Sequence, residues 1–287
     1  MSAVSELKEI EDKNNSMICV GLDLDRKRIP PEYSSSIKGM YDFAVRIIEA
    51  TCDIVAAYKP NLAFFMELGP EGMSLLEKIV KKIPDDVRVI LDGKMGDIGN
   101  TAAHYAAAVF ERYKADWVTL NPYMGYDAIR PFLDYQGKGA FILCLTSNPG
   151  SREFQFMHVV NKPIYMYVAE KVAYWDKEQN LGLVVGATHP EQLADIRKAA
   201  GDCPILIPGV GTQGGNLDIA ARAGTDDFKK LALINVSRSI LYASESNEDF
   251  DSAARTEVER LNSIIDDIKK NVEREKKDGR TDYNLGQ

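Results

Sequence analysis

The hydrophobic positions of this chain form short apolar runs that recur along its whole length. Each run has four to six residues and few charges, the pattern of a strand buried on both faces. The eight runs are 17–22, 54–58, 87–91, 117–120, 140–145, 181–186, 204–207 and 231–236.

Amphipathic segments with helical periodicity lie between most of these runs. They are 41–51, 72–82, 101–113, 164–177, 191–200 and 217–223, and a last one covers 248–271. Eight buried strands alternating with helices predict the α/β class and a closed parallel (β/α)8 TIM barrel, which usually takes about 250 residues. We therefore expect one domain over residues 1–287, with an N-terminal helical extension and a polar C-terminal tail from about 274 to 287.

Composition and charge exclude several classes of protein. The net charge of −8 argues against a general nucleic-acid surface, which needs clustered Lys and Arg. The first fifteen residues are charged and lack an apolar core, so we expect no signal peptide, no membrane anchor and a cytoplasmic location. The four Cys and three His are scattered, which predicts no structural metal site.

The stretch VRVILDGKMGDIGNT, residues 87–101, combines a buried strand with three ionisable groups. If Asp92 and Lys94 still belong to the strand, its period of two points both side chains the same way, so that they can touch. Asp97 follows after a glycine turn. Carboxylates around a Lys keep it protonated, which indicates a proton donor. A structural ion pair at the strand end is the alternative interpretation.

Polar residues also follow other predicted strands, at the end where a barrel places its active site. They are Asp23 after the first strand, Lys59 and Asn61 after the second, Thr146 and Ser147 after the fifth, and Arg238 after the eighth. Because charges of both signs collect there, we expect these side chains to converge on one mouth.

The segment PGVGTQGG, residues 208–215, matches the glycine pattern of a dinucleotide-binding loop. That pattern normally follows the first strand of its fold, and here it follows the seventh. A backbone cradle for one phosphate is the better interpretation, with Arg238 and the amide of Gln213 as further donors.

Three other segments leave their roles open. Residues 147–161 form the longest connection without a clear period, and such loops on barrels are often lids. The segment NPYMGYD, residues 121–127, either lines the mouth or shapes a turn. Thr188 and Glu191 have the spacing of a capping box, which favours a structural role for His189 between them.

Taken together, these motifs resemble the orotidine 5'-monophosphate decarboxylase family, in its longer, bacterial-type form. The resemblance covers most of the chain: GLD at 21–23, YKPN at 58–61, DGKMGDIGNT at 92–101, NPYMGYD at 121–127, TSNPG at 146–150, PGVGTQGG at 208–215 and SRSI at 237–240. It implies conversion of orotidine 5'-monophosphate to UMP and carbon dioxide, with no cofactor and no metal.

The resemblance also implies a role for each matching residue. Lys94 would protonate C6 of the pyrimidine, held by Asp92 and Asp97 and completed by Lys59 as a catalytic set. Asp23, Lys59 and Asn61 would contact the ribose and complete the charge network. Thr146 and Ser147 would contact the pyrimidine, and Pro208, Gln213 and Arg238 the phosphate. Asp97, Ile98 and Thr101 would reach into the partner's site of a homodimer with shared active sites.

Two alternatives stay open at this stage. The pattern Asp-x-Lys-x-x-Asp also occurs in metal-dependent sugar-phosphate decarboxylases, in which the acidic residues would hold magnesium. A barrel that binds nucleotides without turning them over is the second, because a fold does not guarantee an activity.

Overall fold

The computed structural model describes residues 1–210, 216–226 and 230–277. Ten strands are found there: β1 Ile18–Leu22, β2 Ala57–Pro60, β3 Arg88–Met95, β4 Trp117–Leu120, β5 Gly139–Leu145, β6 His158–Val159, β7 Lys162–Pro163, β8 Leu181–Val185, β9 Ile205–Pro208 and β10 Ala232–Val236. Eight of them form a closed parallel barrel in the order β1-β10-β9-β8-β5-β4-β3-β2, and β6 and β7 pair as a separate antiparallel hairpin. The predicted (β/α)8 barrel is therefore confirmed.

Helices surround the barrel and connect its strands. Their bounds are Ala3–Lys13, Pro31–Ser34, Ile37–Thr51, Leu62–Met66, Gly69–Val80, Gly99–Ala107 with a π-helical continuation Ala108–Arg112, the 3-10 turn Pro122–Met124, Tyr126–Leu133, Ser151–Phe154, Ile164–Trp175, Pro190–Ala200, Leu217–Gly224, Arg238–Leu241 and Phe250–Lys277. The last helix includes the first four residues of the predicted polar tail, and residues 278–287 lie outside the described part. No helix in the described ranges is long and apolar enough to cross a membrane.

The bounds of several elements differ from the sequence prediction, and two strands and one helix are examples. The predicted strand 87–91 is shorter than β3, which continues to Met95. The predicted strand 54–58 begins and ends before β2 does. The helix after β8 begins at Pro190 close to the predicted start, but the capping box is wrong. His189 is the N-cap, no side chain caps the helix, and the Thr188 hydroxyl is buried without a hydrogen-bond partner among the described residues.

Two aromatic rings lie in the barrel interior below the ends of β4 and β5. Trp117 on β4 and Phe141 on β5 are fully buried, with ring centroids 4.6 Å apart. Gly139 is opposite Trp117 in the strand pairing, and a Cβ there would lie 2.5 Å from the indole ring. Thr119 and Leu143 come two residues later on the same strands, so the period of two points them into the barrel above these rings.

The amino-terminal helix Ala3–Lys13 lies across the end of the barrel where the strands begin. Its backbone or side chains bond to Gln179 before β8, to Arg88 at the start of β3, and to Leu231 before β10. The last contact places the Glu11 carboxylate in the interior, where Oε2 accepts from the Leu231 N–H at 3.0 Å. The other oxygen, Oε1, has no partner among the described residues, and burial raises the pKa of Glu11 to about 7.

We expect Glu11→Gln to stabilise the protein at pH 8 and to have little effect at pH 5. A carboxyl whose pKa is higher in the folded than in the unfolded chain stabilises the fold at low pH, and that contribution is lost as the pH rises from about 4.5 to about 7. The loss should be on the order of 3 kcal/mol, and glutamine cannot show it. Urea unfolding at both pH values measures this, with Glu9→Gln on the exposed face of the same helix as control. An equal change at both pH values would contradict the prediction.

Candidate active site

A pocket of about 390 Å³ opens where the barrel strands end. Its lining residues include nine of the predicted site residues: Asp23, Lys59, Asn61, Asp92, Lys94, Thr146, Ser147, Pro208 and Arg238. These side chains come from the ends of β1, β2, β3, β5, β9 and β10, so the expected convergence on one mouth is confirmed. Gln213 lies outside the described residues.

Asp92 is the electrostatic centre of this pocket. Its Oδ2 accepts from the Lys59 ammonium at 2.7 Å, and its Oδ1 accepts from the Lys94 ammonium at 2.6 Å. The contact predicted between Asp92 and Lys94 is therefore present, and both residues lie within β3. Lys59, Asp92 and Lys94 form one continuous row of charges in the lining of the pocket.

The environment keeps Asp92 and Lys59 ionised. Burial alone would raise the pKa of Asp92, but the ammonium groups of Lys59 and Lys94 hold it well below its usual range. Burial alone would lower the pKa of Lys59, but the carboxylates of Asp92 and Asp23 outweigh that effect and raise it. Lys59 is almost fully buried, whereas about half of the Lys94 side chain is exposed toward the mouth. Lys94 is thus the charged member of the row that a ligand can reach.

The backbone at Lys94 has an unusual conformation that a neighbouring strand supports. Lys94 has φ +46°, which is uncommon for a residue with a side chain, and the pairing of β3 with β4 shifts register between Leu91 and Met95. The Thr119 hydroxyl accepts from the Lys94 N–H at 2.9 Å and donates to Asp92 Oδ1 at 2.8 Å. One buried hydroxyl therefore fixes the backbone of the lysine and the carboxylate that holds its ammonium.

Thr119 and Asn235 are pocket residues that the sequence analysis missed. Each is the single uncharged polar side chain in an otherwise apolar strand, WVTL in β4 and ALINV in β10. Two acceptors in the pocket, Asp23 Oδ1 and Asn235 Oδ1, are buried and have no hydrogen-bond partner within the described chain. Since buried acceptors normally have partners, this part of the pocket suits a ligand that brings hydroxyl or N–H donors.

Asp97, Ile98 and Thr101 lie outside this pocket. Asp97 pairs with neither lysine, and its Oδ1 accepts from the adjacent Ile98 N–H at 2.8 Å. Ile98 is 57% exposed, and Thr101 is also exposed on the helix that follows. Within one chain, Lys94 therefore pairs with Asp92, and Asp97 lies outside the pocket that contains them.

A family model described as "Orotidine 5'-phosphate decarboxylase / HUMPS family" matches residues 16–252. The orotidine 5'-phosphate decarboxylase of Roseiflexus sp. is 46% identical over 255 residues, covering 88% of this chain and 93% of its own length. The enzyme of the same name from Roseiflexus castenholzii is 48% identical with the same coverage. Among solved structures, the OMP decarboxylase of Leishmania donovani superposes with a TM-score of 0.81 at 36% identity, covering 92% of this chain and 99% of the other.

Proposed function

The chain belongs to the orotidine 5'-phosphate decarboxylase family, and from that premise we propose that Lys94 is the acid of its reaction. The protein is a carboxy-lyase that converts orotidine 5'-monophosphate to UMP and carbon dioxide in pyrimidine biosynthesis. The observation that carries the proposal is the row Lys59–Asp92–Lys94 inside the pocket.

The chemistry requires a fixed cation beside the reacting carbon. When the bond between C6 and the carboxylate breaks, its electron pair stays on C6 in an sp2 orbital that the ring cannot delocalise. A placed ammonium stabilises this charge as it develops, and it costs little reorganisation because the protein already holds it. Lys94 then gives one ammonium proton to C6 and becomes a neutral amine, while carbon dioxide leaves.

The charge pattern of the pocket supports this role for Lys94. Asp92 places a carboxylate oxygen 2.6 Å from the Lys94 ammonium, which fixes the position of that cation before the reaction. Lys59 balances the other oxygen of the same carboxylate, so that Asp92 is held from both sides. We therefore propose Lys94, Asp92 and Lys59 as the catalytic set within one subunit.

Contacts to the rest of the substrate follow from the lining of the pocket. We assign Asp23 and Asn61 to the ribose hydroxyls, and the unpartnered oxygen of Asp23 supports that assignment. We assign Thr146 and Ser147 to the pyrimidine. The phosphate would be held by Arg238 and the loop that begins at Pro208, with Gln213 contributing its amide.

A homodimer with shared active sites is also part of the proposal. Asp97, Ile98 and Thr101 would enter the partner's pocket, which agrees with the exposure of Ile98 and Thr101 and the partial exposure of Asp97. The neighbouring segment after β4 exposes aromatic rings, Tyr123 at 91% and Tyr126 at 40%. The two segments adjoin, because the Asn121 N–H donates to the Met95 carbonyl at 2.8 Å. Exposed apolar side chains on adjoining segments are typical of protein interfaces.

An ultraviolet assay with orotidine 5'-monophosphate tests the function directly. We expect the absorbance change that accompanies decarboxylation. Its rate should be the same with and without excess chelator. Loss of activity in chelator would instead favour the metal-dependent sugar-phosphate decarboxylase. Tight binding of UMP without turnover would favour the nucleotide-binding barrel.

The cytoplasmic location stays a prediction from the charged amino terminus.

A further inference from the structure

Thr146, the first residue after β5, is held by neighbours through all of its polar groups. Its backbone N–H donates to Gln155 Oε1 at 2.8 Å, and its hydroxyl accepts from Gln155 Nε2 at 2.8 Å. The same hydroxyl donates to Asn148 Oδ1 at 2.6 Å. One glutamine side chain thus bonds both the backbone and the side chain of Thr146, which fixes the residue in position and in rotamer.

His189, which follows the neighbouring strand β8, also contacts Thr146. Its Nε2 lies 3.2 Å from the Thr146 carbonyl oxygen, close enough for the imidazole N–H to donate. The ring packs against Phe156, with centroids 5.5 Å apart, and Phe156 follows Gln155 directly. His189 therefore packs against the residue that follows Gln155 in the chain.

The next residue, Ser147, is placed by close packing. A Cβ at Gly186, just after β8, would lie 2.9 Å from both the backbone nitrogen and the Cβ of Ser147. Glycine at this position lets the chain after β5 pack directly on the end of β8. Thr146, Ser147 and Asn148 form one wall of the pocket, and contacts behind the wall set its shape.

We propose that Gln155 is a positioning residue for recognition of the pyrimidine, with His189 supporting it. Gln155 is absent from the pocket lining, and so it acts through Thr146 and not on the substrate. The hydroxyl of Thr146 already has two hydrogen-bond partners. Thr146 therefore assists binding of the base by fixing the position of the adjacent Ser147. This inference rests on the proposed assignment of Thr146 and Ser147 to the pyrimidine.

The test compares two ligands that share a ribose phosphate and differ in the base. In Gln155→Leu, the dissociation constant for UMP should rise about tenfold, because the two hydrogen bonds that orient Thr146 are lost. The dissociation constant for ribose 5-phosphate should change by less than about twofold, since that ligand has no base to contact Ser147. Titration calorimetry on the full-length protein measures both. Gln136→Leu is the matched control, because Gln136 is exposed near the opposite end of β5.

A second variant guards against a simple folding defect. His189→Phe keeps a ring against Phe156 but removes the donor to the Thr146 carbonyl, and it should show the same selective loss of UMP. Equal weakening of both ligands in both variants, or no change in either, would overturn the positioning role. Failure of the wild-type protein to decarboxylate orotidine 5'-monophosphate would contradict the proposed function itself. Normal wild-type activity with an unchanged UMP constant in Gln155→Leu would contradict only the role of Gln155.

Discussion

Replacing Lys94 by alanine should reduce kcat by roughly 10⁴-fold or more, because the proposed proton donor and the proposed cation beside C6 are lost together. The fold should survive the change. Asp92 keeps the Lys59 ammonium and the Thr119 hydroxyl, and about half of the Lys94 side chain is exposed. Steady-state assays with orotidine 5'-monophosphate measure the rate, and UMP titration checks that the pocket still binds.

Lys114→Ala is a matched control for this experiment. Lys114 also has a left-handed backbone, with φ +54°, and it is exposed far from the pocket. The alanine therefore meets the same backbone conformation in both variants, and a backbone effect would appear in both. A Lys94→Ala enzyme within tenfold of the wild-type kcat would exclude Lys94 as the acid.

Hybrid dimers should recover activity that neither parent has. Lys94→Ala and Asp97→Ala subunits are each expected to be inactive alone. In a dimer with one subunit of each kind, one of the two sites receives Lys94 from one chain and Asp97 from the other. About half of the wild-type activity should return, as expected when an isologous interface builds both sites. Purification through two different tags isolates the hybrid for a rate measurement.

The position of Asp97 in one chain is the physical reason for this expectation. Its carboxylate bonds to its own neighbour and lies outside the pocket that contains Lys94. Verified heterodimers without recovered activity would mean that Asp97 serves its own subunit, and the shared-site proposal would then be wrong.

The barrel could be predicted from the sequence because each strand is an apolar run of characteristic length. The upper part of β3 could not. Asp92, Gly93 and Lys94 read as a strand end, yet β3 continues through them to Met95 with a shift in register against β4. The pairing partner decides where that strand ends, and a hydrophobic pattern contains no information about the partner.

The charged site residues could be predicted for a similar reason, since ionisable groups at strand ends stand out against apolar runs. The supporting residues could not. Thr119 is a small polar residue within an apolar strand, and its place under Lys94 depends on which face points inward. Gln155 lies in a connection that has no hydrophobic periodicity. Its contact with Thr146 forms because the folded loop returns to the end of β5, and the sequence does not show this.

Closure of the barrel between its first and last strands also affects how the protein matures during synthesis. Asp23 follows β1 and Arg238 follows β10, and these two strands are hydrogen-bonded neighbours. A nascent chain on the ribosome has exposed Asp23 long before residues 232–236 emerge from the exit tunnel. The pocket therefore cannot exist until the final barrel strand is released, and partly synthesised chains should carry Lys94 without a complete pocket around it.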